Sequence, residues 1–265
     1  MRHTYDPLIP SAGRRVLSLA TVLAFAFLYL PILVLALFSF SDSSLLVFPI
    51  ESFSLRWYHE LFADADLWRS ARNSVIVASS VVPLTLILGV PLAIGLDRLS
   101  FPGKKYLEGG ILMPLLVPGL ITGLALLLLL KQFEVRLSLF TVAIGHSIWC
   151  LPIVVTQVYA RLRSFDRSIE EASLDLGATP WITFWRVTLP NLKSAMIGSA
   201  LLVFVLSFDE VPVTFFLTGS ENTLPMHIWS MLREGVTPAI NAIATLTIAL
   251  TVALLAVGLR LLSRD

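Results

Sequence analysis

The sequence predicts an all-α, polytopic membrane protein with six transmembrane helices, and three observations carry that prediction. Of its 265 residues, 56% are hydrophobic and only 14% are charged, which is more apolar surface than a soluble chain of this length can bury. Mean hydropathy is +0.84. Six segments, near residues 16–38, 73–96, 108–130, 139–160, 194–217 and 239–262, reach the length of about 20 apolar residues that a bilayer core requires.

Taken in order, residues 1–15 read as a cytoplasmic tail ending in Arg14 and Arg15. The following apolar run, Val16 to Phe38, is too long for a signal-peptide core, and Ser39-Phe40-Ser41 is a poor cleavage site, so the run is kept as an anchor. Residues 39–72 form the longest outer loop. Within it, Leu55 to Phe62 carries apolar residues at helical spacing, with Trp57 and Tyr58 suited to a headgroup interface. Phe101-Pro102-Gly103-Lys104-Lys105 makes a tight basic inner turn between the second and third spans. Pro114, Pro118, Gly119 and Gly123 interrupt the third span. Proline frees a carbonyl one turn back, which is tolerated where neighbours or a water-filled cavity satisfy it. The fourth span leads into a polar loop, 161–193. After the fifth span, residues 218–238 return through Gly219, Pro225, Gly235 and Pro238, and a short tail, 263–265, follows the sixth.

Lysine and arginine fix the orientation, because they are retained on the cytoplasmic side. With both termini inside, the inner segments hold 13 of the 19 basic residues. This places loop 161–193 in the cytoplasm and residues 16–262 in one helical membrane domain.

Several chemistries are excluded or disfavoured. Cys150 is the only cysteine, so no intrachain disulfide forms. His3, His59, His146 and His227 show no metal-ligand spacing. No glycine-rich phosphate loop occurs, and Lys193 follows Leu192 without one, so the chain cannot hydrolyse ATP unaided. Nothing points to nucleic acid. A secondary transporter needs an intramembrane ion site and usually a repeat; one embedded acid pair is present, with no second copy.

Loop 161–193 is the most informative segment. Asp166 suits the N-cap of a helix beginning at Arg167, and Ser168 with Glu171 offers a capping box if the start lies two residues later. Ile169, Ala172, Ser173 and Leu176 recur at helical spacing, giving a small, apolar docking face, with Glu170, Glu171 and Asp175 elsewhere. Gly177 suits the left-handed position after the helix, Thr179 caps a second helix, and Pro180 fits its first turn.

The order Glu171-Ala172-Ser173, Gly177, Val187, Leu189-Pro190 resembles the cytoplasmic loop of ABC importer permeases, E-A-A-x3-G-x9-I-x-L-P, with Ser173 and Val187 as the departures. Ser207-Phe208-Asp209-Glu210-Val211, Phe215 to Gly219, Leu224-Pro225 and Asn241 to Thr245 extend the resemblance to permeases of the spermidine/putrescine type, and Arg56-Trp57-Tyr58 and Asn73-Ser74 agree with it. The resemblance implies the type I ABC importer permease fold in a bacterial inner membrane. It implies ATPase coupling through Glu171, Ala172, Ser173, Gly177, Ala178, Thr179 and Pro180. It also implies a second homologous permease, two ABC ATPase subunits that carry ATP and magnesium, a periplasmic or lipid-anchored solute-binding protein, and no cofactor bound by this chain.

For the substrate path, carboxylates at bilayer depth usually face a polar cavity. Asp209 and Glu210 are adjacent and differ by roughly 100° on a helix, so one faces the path while the other meets a partner, or both are structural acids tied to groups such as Arg233. Pro118, Gly119 and Trp229 are further candidates. Polyamine permeases tend to carry an acid where this chain has Gly119, which leaves open another small amino-containing solute, such as an opine, an aminophosphonate or an amino-acid-like compound.

Overall fold

The structure is a computed structural model that describes residues 11–44, 46–235 and 237–262, and the regular secondary structure of the described part is helical, joined by turns and loops, apart from one isolated bridge between Ser41 and Phe53. It divides into two compact units, 1–63 with 235–249, and 64–234 with 250–265.

In the first unit, α1 (Ser11–Phe38) is exposed along most of its length, as a helix whose solvent is lipid or another subunit should be. The described residues 39–44 and 46–55 are non-helical, and α2 (Arg56–Ala63) follows them. The sequence assigned Trp57 and Tyr58 to the headgroup layer, but both are used internally. Trp57 is buried and its indole N–H donates to the Ser41 carbonyl at 2.7 Å, while the Tyr58 hydroxyl shares a 2.7 Å hydrogen bond with Ser39. Burying an indole requires a partner for its one donor, and the loop backbone supplies it.

The second unit holds α3 (Ala65–Arg98), α4 (Lys104–Leu116), α5 (Gly119–Gln132), α6 (Leu139–Arg163), α7 (Ser168–Asp175), α8 (Pro180–Thr183), α9 (Leu189–Phe208), α10 (Pro212–Leu217) and α11 (Leu224–Glu234). The last helix, α12 (Pro238–Leu262), begins in the first unit and ends in the second. α3 starts at residue 65, eight residues before the predicted span, because Asp64 caps it: its carboxylate accepts from the backbone N–H groups of Asp66 and Leu67.

The core lies among α3, α6 and α9. Val77, Val81, Val90, Val154, Val158, Leu192 and Val203 form one buried cluster. β-branched residues lose little here because their rotamers are already restricted. Small residues let the backbones approach: a Cβ on Gly89 of α3 would lie 2.8 Å from Val154 of α6, the small-residue packing expected where lipid provides no hydrophobic drive between helices. α10 is wedged in the same way, since a Cβ on Gly145 of α6 would lie 2.5 Å from Leu217, and one on Gly123 of α5 would lie 3.1 Å from the Pro212 carbonyl oxygen. Gly145→Val is therefore expected to destabilise the protein by about 1–3 kcal/mol, seen as a lower unfolding midpoint in detergent; an unchanged midpoint would show that α10 gives way freely.

One predicted span is corrected, and the predicted interruption of another is located. The fifth does not run as one helix from 194 to 217. Helix begins at Pro180, passes through a π-turn at Phe184–Thr188 into α9, and stops at Phe208. Asp209 and Glu210 break it, Pro212 starts α10, and the apolar run that continues to Leu217 hides this break from a hydropathy reading. The third is divided at Val117-Pro118 into α4 and α5, which meet at a bend of 103°. Among the described residues, four helices are long and apolar enough to cross a membrane, a fifth if the bent pair counts as one span, and Pro238–Ala253 is a shorter apolar stretch.

Candidate functional site

Two groups of predicted site residues can be located. The first is the loop 161–193. α7 begins at Ser168, and Asp166 acts from just outside it, its carboxylate accepting from the Ser168 backbone N–H at 3.0 Å. That bond, with a second from the Ser168 hydroxyl, holds the Asp166 carboxyl below the usual range. The capping box offered by Ser168 and Glu171 does not form, since Ser168 is already helical. After α7, Gly177 adopts φ +87°, and the backbone N–H groups of Gly177 and Ala178 close the helix by donating to the carbonyls of Leu174 and Ser173. Only glycine takes that conformation without steric cost. Thr179 then accepts from the Ile182 N–H at 3.3 Å and Pro180 occupies the first turn of α8, as the sequence predicts.

The two short helices are tied by a 3.0 Å hydrogen bond between Ser173 and buried Thr183. Glu171, Ala172, Gly177, Thr179 and Pro180 are exposed, and Ala178 is half-buried. Leu176 is 89% exposed, and Ile169, Leu174, Trp181, Ile182 and Trp185 are also uncovered. Glu170, which the helical spacing places off the docking face with Glu171 and Asp175, is buried and accepts hydrogen bonds from Arg98 and from the Thr188 hydroxyl.

The second group surrounds the broken end of α9. Glu210 is buried, and its two carboxylate oxygens accept from the Val213 N–H at 2.9 and 3.0 Å and from the Thr214 N–H at 3.0 Å. These are N–H groups that a helix start leaves without partners, which lipid cannot satisfy. Fully buried His146 stands opposite, with Nε2 3.2 Å from Glu210 and 2.8 Å from the Thr214 hydroxyl, and with Nδ1 2.8 Å from the Ser207 hydroxyl. A carboxylate oxygen only accepts, so Nε2 carries the proton that faces it. Glu210 is thus held by α6 and α10 and not by Arg233, which is exposed on α11. Asp209 is exposed.

The structure brings Gly119 to this junction. A Cβ there would lie 3.0 Å from Pro212 and 3.6 Å from Glu210 Oε1, so Pro118 and Gly119, at the start of α5, adjoin the broken end of α9. Trp229 does not join them; it is an exposed residue of α11. That segment folds back on the start of α3, where the Asn73 amide donates to Glu221 and to the Asn222 carbonyl, and the Leu224 N–H donates to Ser74. Sequence reasoning missed His146 as a site residue. The signal available was a histidine inside an apolar span, which needs buried partners wherever it lies.

Comparison with known proteins fits these features. Residues 85–264 match the family described as "Binding-protein-dependent transport system inner membrane component". The chain is 39% identical over 248 residues to the putrescine transport system permease protein PotI of Escherichia coli K12, covering 91% of this chain and 87% of that protein. It is 33% identical over 244 residues to the spermidine/putrescine transport system permease protein PotC of the same strain, covering 91% of each. Among solved structures, a bacterial ABC transporter involved in the import of the acidic polysaccharide alginate superposes with a TM-score of 0.74 at 18% identity, covering 96% of this chain and 99% of the other. The MetNI methionine ABC transporter, in inward-facing conformations, gives 0.65 at 14% identity over 75% of this chain and 95% of the other. The chain belongs to the family of binding-protein-dependent transport system inner membrane components, as a permease subunit.

Proposed function

We propose that this chain is one of two homologous permeases that form the translocation path of an ATP-driven polyamine importer, spanning the membrane six times with both termini in the cytoplasm. The observation that carries the reading is the exposed corner of α7, Gly177 and α8, whose uncovered apolar side chains form a docking surface in a protein similar to putrescine and spermidine permeases. Two ATPase subunits, holding ATP and magnesium, engage that corner from the cytoplasm. A periplasmic or lipid-anchored binding protein delivers solute from outside and sets most of the discrimination. Closure of the ATPases displaces α7 and α8, and the packed core of α3, α6 and α9 carries this as rigid-body rotation between inward-open and outward-open states.

At the break after α9 the two acids divide their work. Glu210 stabilises the start of α10, and exposed Asp209 faces the solute. Asp209→Asn is expected to lower uptake of a cationic solute by about fivefold, the scale of one lost exposed charge contact; unchanged kinetics would remove Asp209 from the path. The second reading, another small amino-containing solute such as an opine, an aminophosphonate or an amino-acid-like compound, is favoured by Gly119, because an acid there would stand beside Glu210 and add charge that this junction lacks. Cells lacking their own polyamine uptake, supplied with this chain and its co-encoded partners, separate the two. Accumulation of labelled putrescine that unlabelled spermidine suppresses supports the polyamine reading, and no accumulation of putrescine alongside uptake of a labelled opine, aminophosphonate or amino acid overturns it.

A further inference from the structure

We infer that two crossed ion pairs weld α7 to the end of α3, so that α3 is the element that receives the motion of the docking corner and α3 and α7 move as one body throughout the transport cycle. Asp97 and Arg98 are the last two residues of α3, and Arg167 and Glu170 flank the start of α7 about seventy positions later. The pairs run with opposite polarity. Arg167 donates to Asp97 Oδ2 at 2.6 Å, and Arg98 donates to Glu170 Oε1. Two antiparallel charge pairs between the same helices resist both sliding and rotation, because either movement that relieves one pair strains the other.

Burial makes the weld hard to open. The Asp97 side chain is 2% exposed and that of Glu170 is 12% exposed. Asp97 Oδ1 makes no hydrogen bond among the described residues, so the pairing of this carboxylate rests on Arg167. Separating the helices would strand two buried carboxylates, a far larger cost than losing an exposed pair. The Thr188 hydroxyl also donates to Glu170, which joins the turn that feeds α9 to the same carboxylate. α7 therefore has two faces: one fastened through Arg167 and Glu170, and an opposite one, with Glu171, Ala172 and Leu176, left open. Since α3 packs along α6 and α9, a displacement of α7 enters the core through α3.

This inference rests on the reading of loop 161–193 as the ATPase-docking segment. The test uses the complete reconstituted complex, and its readout is the ATP hydrolysis that the binding protein stimulates. In Arg167→Ala and Glu170→Gln the ATPases still co-purify, and stimulated hydrolysis falls about fivefold; full stimulation in both variants would overturn the weld. In Asp97→Cys/Arg167→Cys stimulation is expected to fall as in Arg167→Ala, and joining the two cysteines by a short reducible dithiol-reactive linker is expected to bring it back to within about twofold of the unaltered protein. Stimulation that the linker abolishes and a reductant restores would show that α3 and α7 must separate, and would overturn the proposal. ATPases that fail to co-purify with the unaltered chain would instead count against the docking-segment reading itself.

Discussion

Glu210→Ala is expected to lower the unfolding midpoint of the detergent-purified protein by on the order of 10 °C, corresponding to a loss of about 3 kcal/mol or more. The carboxylate satisfies the Val213 and Thr214 N–H groups and faces His146 Nε2. Alanine strands the Val213 and Thr214 N–H groups at the buried junction of α6, α9 and α10, where neither water nor lipid replaces the lost acceptor, and leaves His146 Nε2 with only the Thr214 hydroxyl. Glu210→Gln retains one acceptor oxygen and should cost only about 1 kcal/mol. Asp209→Ala, one residue away but exposed, should leave the midpoint unchanged. Equal effects at the two positions would show that the His146–Glu210 arrangement does not hold the break together.

Gly177→Trp is expected to reduce ATP-coupled uptake by about tenfold or more while membrane insertion stays normal. At φ +87° a residue with a Cβ meets its own backbone, at a cost of about 1–2 kcal/mol. Nothing lies within 4 Å of that Cβ, so packing inside the chain adds no penalty and the indole projects from the docking corner. Both effects act on the surface proposed to engage the ATPases, and neither touches the spans. Gly177→Asn separates them, because asparagine tolerates the left-handed conformation and adds little bulk; it should retain most of the uptake. Wild-type uptake by the tryptophan variant would remove the corner from the coupling path.

The helix, corner and second helix of loop 161–193 were legible in the sequence because their determinants are local. Gly177, Thr179 and Pro180 each act through backbone conformation or a hydrogen bond within a few residues, and each behaves as the composition of the loop predicts. The fate of Glu170 was not legible. Helical spacing placed it off the apolar face with Glu171 and Asp175, and its pairing is with Arg98, 72 positions away. His146 and Glu210 were missed as a pair for the same reason, since the two lie on different helices and meet only when α10 turns back between α5 and α6. The end of the fifth span failed differently. Val211 to Leu217 is as apolar as the span before it, so hydropathy read through a break that Asp209, Glu210 and Pro212 had already marked by their backbone chemistry.

The central claim, that this chain is the membrane path of an ATP-driven polyamine importer, is met most directly by uptake into proteoliposomes containing it with its co-encoded partners, using labelled putrescine and spermidine with and without internal ATP. The account predicts accumulation that needs both ATP and the binding protein. Uptake that proceeds on an ion gradient without nucleotide would contradict it.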